Sequence, residues 1–156
     1  MSLVFDERQL LVPGIHEATL EIVKKHFARF QKTDKRLTLF GKLKEYAAAI
    51  QKAGWKCSLI IDGSFVMPAV DEPEDIDLIL VLPEDWDMTE DLKPHLYNLV
   101  SKKRVKREYG IEVFSVPSGS RAELEWIDFF CQVNIKWCQS FNWPSDARKG
   151  IVKVAL

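Results

Sequence analysis

Two aspartates flank a single apolar residue immediately before a long apolar run. Asp75 and Asp77 enclose Ile76, and the run continues to Leu82. Because side chains along a strand alternate between its two faces, both carboxylates would project from the same side of the predicted strand. Neighbouring carboxylates raise one another's pKa unless a cation lies between them. The pattern therefore predicts a hard divalent metal such as Mg2+, which prefers carboxylate oxygens.

A Gly-Ser pair precedes these aspartates. Gly63 and Ser64 end an apolar run over residues 57–62, and ten residues separate Ser64 from Asp75. The first run predicts a buried strand and the pair predicts a turn, followed by a short helical or irregular piece over residues 65–70. The acidic loop of residues 71–74 then leads into the strand that carries the aspartates.

A third carboxylate lies in a later apolar run. Glu112 is in the strand predicted over residues 111–116, facing the same side as Phe114 and Val116. A buried charge costs several kcal/mol unless it is paired or metal-bound, so packing alone does not explain this residue. If this strand lies beside the one bearing Asp75 and Asp77, three carboxylates meet at one point. That arrangement suits a two-metal phosphoryl-transfer site.

The elements around these residues indicate an α/β or α+β fold in one domain, residues 1–156. Apolar residues at helical spacing predict a helix from Ile15 to about Gln31 and a second from Thr33 or Asp34 to Gly54. Further helices are expected from the capping box at residues 87–90 to about Val100, and from Ser120 to about Ser140. The second of these is apolar almost all round and is expected to be largely buried. A basic run covers residues 102–107, and a final strand covers residues 151–155.

Composition narrows the class of protein. The chain has 156 residues, 47% of them hydrophobic, and a formal net charge of −1, which is typical of a globular protein without a global basic field. No apolar run approaches the roughly 20 residues that span a bilayer, so no membrane partner is expected. Three cysteines without CxxC spacing predict neither a disulfide framework nor a zinc site, and favour the cytoplasm.

Several motifs together resemble a known superfamily. Asp62-Gly63-Ser64-Phe65-Val66, Pro73-Glu74-Asp75-Ile76-Asp77 and Tyr109-Gly110-Ile111-Glu112-Val113 are similar in order and spacing to the signature of the DNA polymerase beta-type nucleotidyltransferases. With Pro13-Gly14-Ile15-His16 and Lys149-Gly150-Ile151-Val152, they also resemble an uncharacterised bacterial and phage family of nucleotidyltransferase-like proteins. The resemblance covers most of the chain. It implies a small mixed sheet flanked by helices, with two N-terminal helices before the core.

The resemblance also implies roles for single residues. Asp75, Asp77 and Glu112 would be catalytic and ligate Mg2+ or Mn2+, with Glu112 a candidate base for the acceptor hydroxyl. Gly63 and Ser64 would hold the phosphates of an NTP through backbone N–H groups at a helix N-terminus. The sequence departs from the superfamily in two ways: the third acid is glutamate instead of aspartate, and no arginine closely follows Gly63-Ser64. Lys149 or the basic run at residues 102–107 would then supply the phosphate-binding charge.

Three functions fit this pattern. The first is Mg2+-dependent transfer of an NMP group from an NTP to an acceptor hydroxyl on RNA, a protein or a small molecule. The second is a catalytically weak or inactive nucleotidyltransferase-fold binding module, an antitoxin-like partner of another protein in a toxin–antitoxin or phage-defence system. The third is a metal-dependent phosphodiesterase using the same acids. Neither a Walker-type phosphate loop nor a nucleophile elbow is present in the sequence.

Overall fold

The computed structural model describes residues 3–87 and 89–156. In this part of the chain a five-stranded mixed sheet is flanked by six α-helices, so the predicted α+β class is confirmed. The strands are β1 (Ile15–Ala18), β2 (Ser58–Asp62), β3 (Ile76–Leu82), β4 (Ile111–Pro117) and β5 (Ile151–Ala155). The helices are α1 (Leu20–Phe27), α2 (Lys35–Lys52), α3 (Pro94–Tyr97), α4 (Lys102–Tyr109), α5 (Arg121–Phe130) and α6 (Ile135–Phe141).

The strands lie in the order β1-β5-β2-β3-β4. The two outer pairs, β1 with β5 and β3 with β4, are parallel, whereas β2 is antiparallel to both of its neighbours. The larger hydrophobic core lies on the face of the sheet that α1, α2 and α4 cover. A smaller core lies between the opposite face and α5, and includes Ile60, Ile79, Val116 and Ile151.

The N-terminal helix begins later than its apolar spacing predicted. Residues 15–18 form the edge strand β1. The expectation that the chain begins with two helices is therefore wrong, because a strand of the sheet precedes them. Helix α1 starts only after Thr19, whose hydroxyl accepts a hydrogen bond from the backbone N–H of Ile22. Pairing of Ile15 with Ile151 in β5 overrides the local helical pattern.

The helix predicted from residue 87 to about residue 100 is also wrong. Asp87 accepts hydrogen bonds from the backbone N–H and hydroxyl of Thr89, which forms a local turn, and Met88 of the predicted capping box lies outside the described residues. Only α3 is helical there, and it begins at Pro94. The basic run, by contrast, forms α4, which Ser101 caps through the N–H of Arg104.

The last predicted helix is divided into α5 and α6. Ser120 caps α5 as expected, by accepting a hydrogen bond from Glu123 N. The helix stops because the backbone of residues 131–133 bonds to residues 147–149, including Lys149 N to Cys131 O at 2.8 Å. The expectation that this region is largely buried is wrong: Leu124 is 68% and Phe129 is 56% exposed.

Within the described ranges, no helix combines the length and the apolar composition needed to cross a bilayer. The cysteines Cys57, Cys131 and Cys138 are buried and unbridged.

Candidate metal centre and cleft

The three predicted carboxylates converge at one edge of the sheet. Asp75 immediately precedes β3, Asp77 is its second residue, and the parallel register places Asp77 beside Glu112 of β4. One carboxylate oxygen from each residue lies within 4.8 Å of the other two. The convergence required by the metal hypothesis is therefore present, whereas the role of these residues as ligands stays a prediction.

The ionised form of Asp77 is disfavoured by its surroundings. Burial raises its pKa to about 7, and repulsion from Asp75 and Glu112 contributes to the increase. A divalent cation between these oxygens would favour the ionised carboxylate and reverse the shift. The donor set consists only of carboxylate oxygens, which fits Mg2+ or Mn2+ better than a softer metal.

Lys106 of α4 supplies one cation to this cluster. Its ammonium lies 2.5 Å from the Oδ2 atom of Asp75. Burial lowers the pKa of Lys106, but the hydrogen bond and the attraction to Asp75 outweigh this effect and the net pKa is raised. The basic run thus reaches the acid cluster through one residue, which partly neutralises the charge that a metal would also neutralise.

The raised pKa of Asp77 predicts a pH dependence of stability. Between the unfolded value near 3.8 and the folded value of about 7, the folded state binds more protons than the unfolded state. The free energy of unfolding should therefore fall as pH rises from about 4 through 7, and level off above that range. Urea denaturation in EDTA at several pH values should show a larger loss in the wild type than in Asp77→Asn, because Asp62, whose pKa burial also raises, contributes equally in both proteins. Parallel curves for the two proteins would contradict the raised pKa.

Gly63 allows the turn to approach Asp77. Its φ of +78° lies in the left-handed region, and a Cβ on this residue would overlap the Asp77 carboxylate. The pair Gly63-Ser64 opens a four-residue 3-10 helix, Gly63–Val66, instead of an α-helix. The predicted phosphate cradle is therefore a short turn against Asp77.

Substitution of Gly63 by alanine should disrupt the cluster. We expect Gly63→Ala to destabilise the protein by at least about 3 kcal/mol, since left-handed strain and displacement of Asp77 add together. Gly119→Ala is the matched control, because Gly119 has a φ of +77° but nothing within 4 Å of the added Cβ. That control should cost only about 1–2 kcal/mol. Equal losses in urea denaturation would contradict the contact with Asp77.

Two buried ionisable residues, Asp62 and Lys149, lie near the acid cluster. They are 0% and 2% exposed, and among the described residues neither carboxylate oxygen of Asp62 has a hydrogen-bond partner. Burial raises the pKa of Asp62 and lowers that of Lys149. The Lys149 ammonium donates a hydrogen bond to the carbonyl of Phe130 at 2.9 Å. Lys149 was predicted to bind nucleotide. It lines the cleft, but its ammonium is buried and bonded to the Phe130 carbonyl.

A cleft of about 790 Å³ opens beside the acid cluster, within the size range of ligand pockets. Its acidic end contains Asp75, Asp77 and Glu112 together with Gly63 and Ser64. The rest of the lining includes an aromatic wall, formed by side chains from β4, α5 and α6: Phe114, Trp126, Phe129, Phe130 and Trp137. Trp126 and Trp137, interpreted from the sequence as core residues, are only partly buried and line this wall.

Residues 3–155 match the family of unknown function DUF6932. The chain belongs to this family. Comparisons with curated proteins and with solved structures gave no match. Because DUF6932 has no assigned activity, the function of this member has to be argued from its site.

Arg36 is the main feature of this DUF6932 protein that sequence reasoning missed. Arg36 is 1% exposed. Its guanidinium donates hydrogen bonds of 2.6–3.5 Å to the backbone carbonyls of five residues: Phe27, Ser64, Phe65, Met67 and Val70. Arg36 therefore fixes the turn after Gly63. A signal was present, since Arg36 precedes Leu39 by three residues and Phe40 by four and so falls on the buried stripe of α2.

Asp62 and Lys106 were also not singled out from the sequence. Asp62 ends β2 directly after the apolar residues 59–61, which marks it as a buried carboxylate. Lys106 was one of five basic residues in a short run, and only the packing of α4 beside β4 identifies it as the one that contacts Asp75.

Proposed function

We propose that the protein is a Mg2+-dependent nucleotidyltransferase that moves an NMP group from an NTP to an acceptor hydroxyl. The observation that carries this proposal is the convergence of Asp75, Asp77 and Glu112 beside the Gly63-Ser64 turn at the edge of a nucleotide-sized cleft. The unbridged cysteines favour the cytoplasm as its compartment.

Each part of the site has a role in this reaction. Asp75, Asp77 and Glu112 would hold Mg2+ or Mn2+, which when bound neutralises phosphate charge and activates the acceptor oxygen. Gly63 lets the turn lie directly against Asp77, and Arg36 holds the turn through its carbonyls. Ser64 lines the cleft and can donate its hydroxyl to a phosphate oxygen.

In the transfer the acceptor oxygen attacks the α-phosphorus. The new O–P bond forms as the bond from the α-phosphorus to the oxygen bridging to the β-phosphate breaks, and pyrophosphate leaves. The acceptor proton passes to a carboxylate, for which Glu112 is the candidate. Lys106 lies near enough to the cluster to stabilise charge on the departing pyrophosphate.

The test is a label-transfer assay. The protein is incubated with Mg2+ or Mn2+, each α-labelled NTP, and either total RNA or a cell lysate as the source of acceptors. Wild type and the control Asp85→Ala/Asp91→Ala, which changes two exposed aspartates, should transfer label. Asp75→Ala/Asp77→Ala should not. Absence of transfer from every NTP by wild type would contradict the proposal.

The binding module is the second candidate. Two features favour it. The third acid is a glutamate, and the Lys106 ammonium contacts the Asp75 carboxylate that a metal would also contact. In that case NTP would raise the melting temperature without transfer of label. A toxin–antitoxin or phage-defence setting, with a second protein as partner, is supported only by the sequence resemblance.

A further inference from the structure

We propose that the acceptor is the end of a single-stranded nucleic acid, whose phosphates follow the basic face of α4 and whose terminal bases stack on the aromatic wall of the cleft. This inference rests on the proposed function, because it names the acceptor class for the same site.

The basic residues of α4 form a continuous surface. At 3.6 residues per turn, Lys102, Lys103, Lys106 and Arg107 fall within an arc of roughly 140°, and the buried Val105 lies outside it. All four side chains are exposed. Within the part of the chain that the structure describes, only Lys106 of the four has a carboxylate within 4.0 Å. The chain as a whole has a net charge of −1, so this surface is a local concentration of positive charge.

One side of this arc borders the cleft. The Lys102 ammonium lies 4.1 Å from the centroid of the Phe114 ring, and Lys106 contacts Asp75. Phe114 and Asp75 both line the cleft. Lys103 and Arg107 continue the arc away from it. Cations therefore extend from the acid cluster outward around the helix, as a phosphate backbone with its terminus at the cluster would require.

The aromatic wall of the cleft suits bases. Phe129 is 56% exposed within the cleft, and Trp126 stacks on Phe130 with ring centroids 5.7 Å apart. Exposed aromatic rings beside a basic surface are the combination that binds single-stranded nucleic acids without sequence preference. A base stacked on Phe129 would cover apolar surface that the fold leaves in water.

The other acceptor classes explain less of this arrangement. A small molecule inside the cleft would not reach Lys103 and Arg107, neither of which lines it. Glu72 and Glu74 also line the cleft and would repel the carboxylates of an acidic peptide and the phosphates of a nucleic acid alike, so they do not distinguish the two. A phosphodiester chain engages both surfaces, because its phosphates bind α4 while its terminal hydroxyl reaches the metal that the acids would hold.

The test measures binding without NTP, so it does not depend on catalysis. Fluorescence anisotropy follows single-stranded RNA, single-stranded DNA and duplex DNA oligonucleotides binding to the full chain. We expect Lys103→Ala/Arg107→Ala to weaken single-strand binding about tenfold and to reduce the slope of log K against log salt by about 1.4. Lys24→Ala/Lys25→Ala, which removes two exposed cations from α1, is the charge-matched control and should change neither.

The aromatic wall is tested separately. Phe129→Ala should weaken binding of a single strand about tenfold. Leu124→Ala should not, because Leu124 is a 68% exposed apolar residue of the same helix that does not line the cleft.

Three results would each overturn the inference: failure of wild type to bind single strands, equal losses in the α1 control, or duplex binding as tight as single-strand binding. Nucleic-acid binding without label transfer would contradict the proposed function and leave only the binding surface standing. Transfer to another acceptor without such binding would contradict the inference alone.

Discussion

Replacing Asp77 with asparagine should stabilise the metal-free protein at pH 8 and lower label transfer by about 100-fold or more. The stability gain follows because burial and the neighbouring carboxylates disfavour ionised Asp77, and an amide carries no charge. The activity loss follows because the amide is a poor ligand for Mg2+ and leaves transition-state charge unbalanced. Urea denaturation in EDTA gives the first value, and initial rates with α-labelled NTP give the second.

The gain in stability and the loss of activity have opposite signs, and this combination distinguishes a metal ligand from a residue that only supports the fold. A residue that only supports the fold would lower stability and activity together when replaced. The exposed Asp85→Asn variant should change neither quantity. An Asp77→Asn protein that is less stable in EDTA than wild type would contradict the electrostatic account of the cluster.

Replacing Arg36 with methionine should cost about 3–5 kcal/mol of unfolding free energy. The arginine is buried, and its loss leaves the carbonyls of Phe27, Ser64, Phe65, Met67 and Val70 without their shared donor. Lysine should not restore the loss, because a single ammonium cannot reproduce the planar fork of donors. Urea denaturation of both variants measures the effect.

Arg29→Met provides the comparison for Arg36, since Arg29 is exposed near the end of α1. We expect that change to alter stability by less than about 0.5 kcal/mol. A loss below about 1 kcal/mol in Arg36→Met would contradict a central role for Arg36 in holding the turn after Gly63.

The local sequence pattern correctly predicted the elements that are stabilised by residues close to them in the chain. The strands β2 to β5 and helix α2 agree with the predicted spans to within a residue or two, because their apolar runs and caps are strong local signals. The acid cluster was also accessible from sequence, since alternation within β3 and β4 determines which side chains share a face.

Non-local contacts account for the errors. Strand β1 is four residues long and exists through pairing with β5, which lies more than a hundred residues away in the chain. The break between α5 and α6 depends on hydrogen bonds to residues 147–149. The role of Arg36 depends on carbonyls up to 34 residues further along the chain, including that of Val70. None of these partners can be identified from local spacing.

Titration of the protein with Mn2+, followed by the electron paramagnetic resonance signal of the free ion, tests whether the three acids form a metal centre. We expect binding by wild type that strengthens when NTP is present, measured against the same Mn2+ and NTP mixture without protein. We expect no measurable binding by Asp75→Asn/Asp77→Asn and unchanged binding by Asp85→Asn/Asp91→Asn. Binding of equal strength in wild type and in Asp75→Asn/Asp77→Asn, or no binding by wild type even with NTP, would contradict a metal centre formed by these acids.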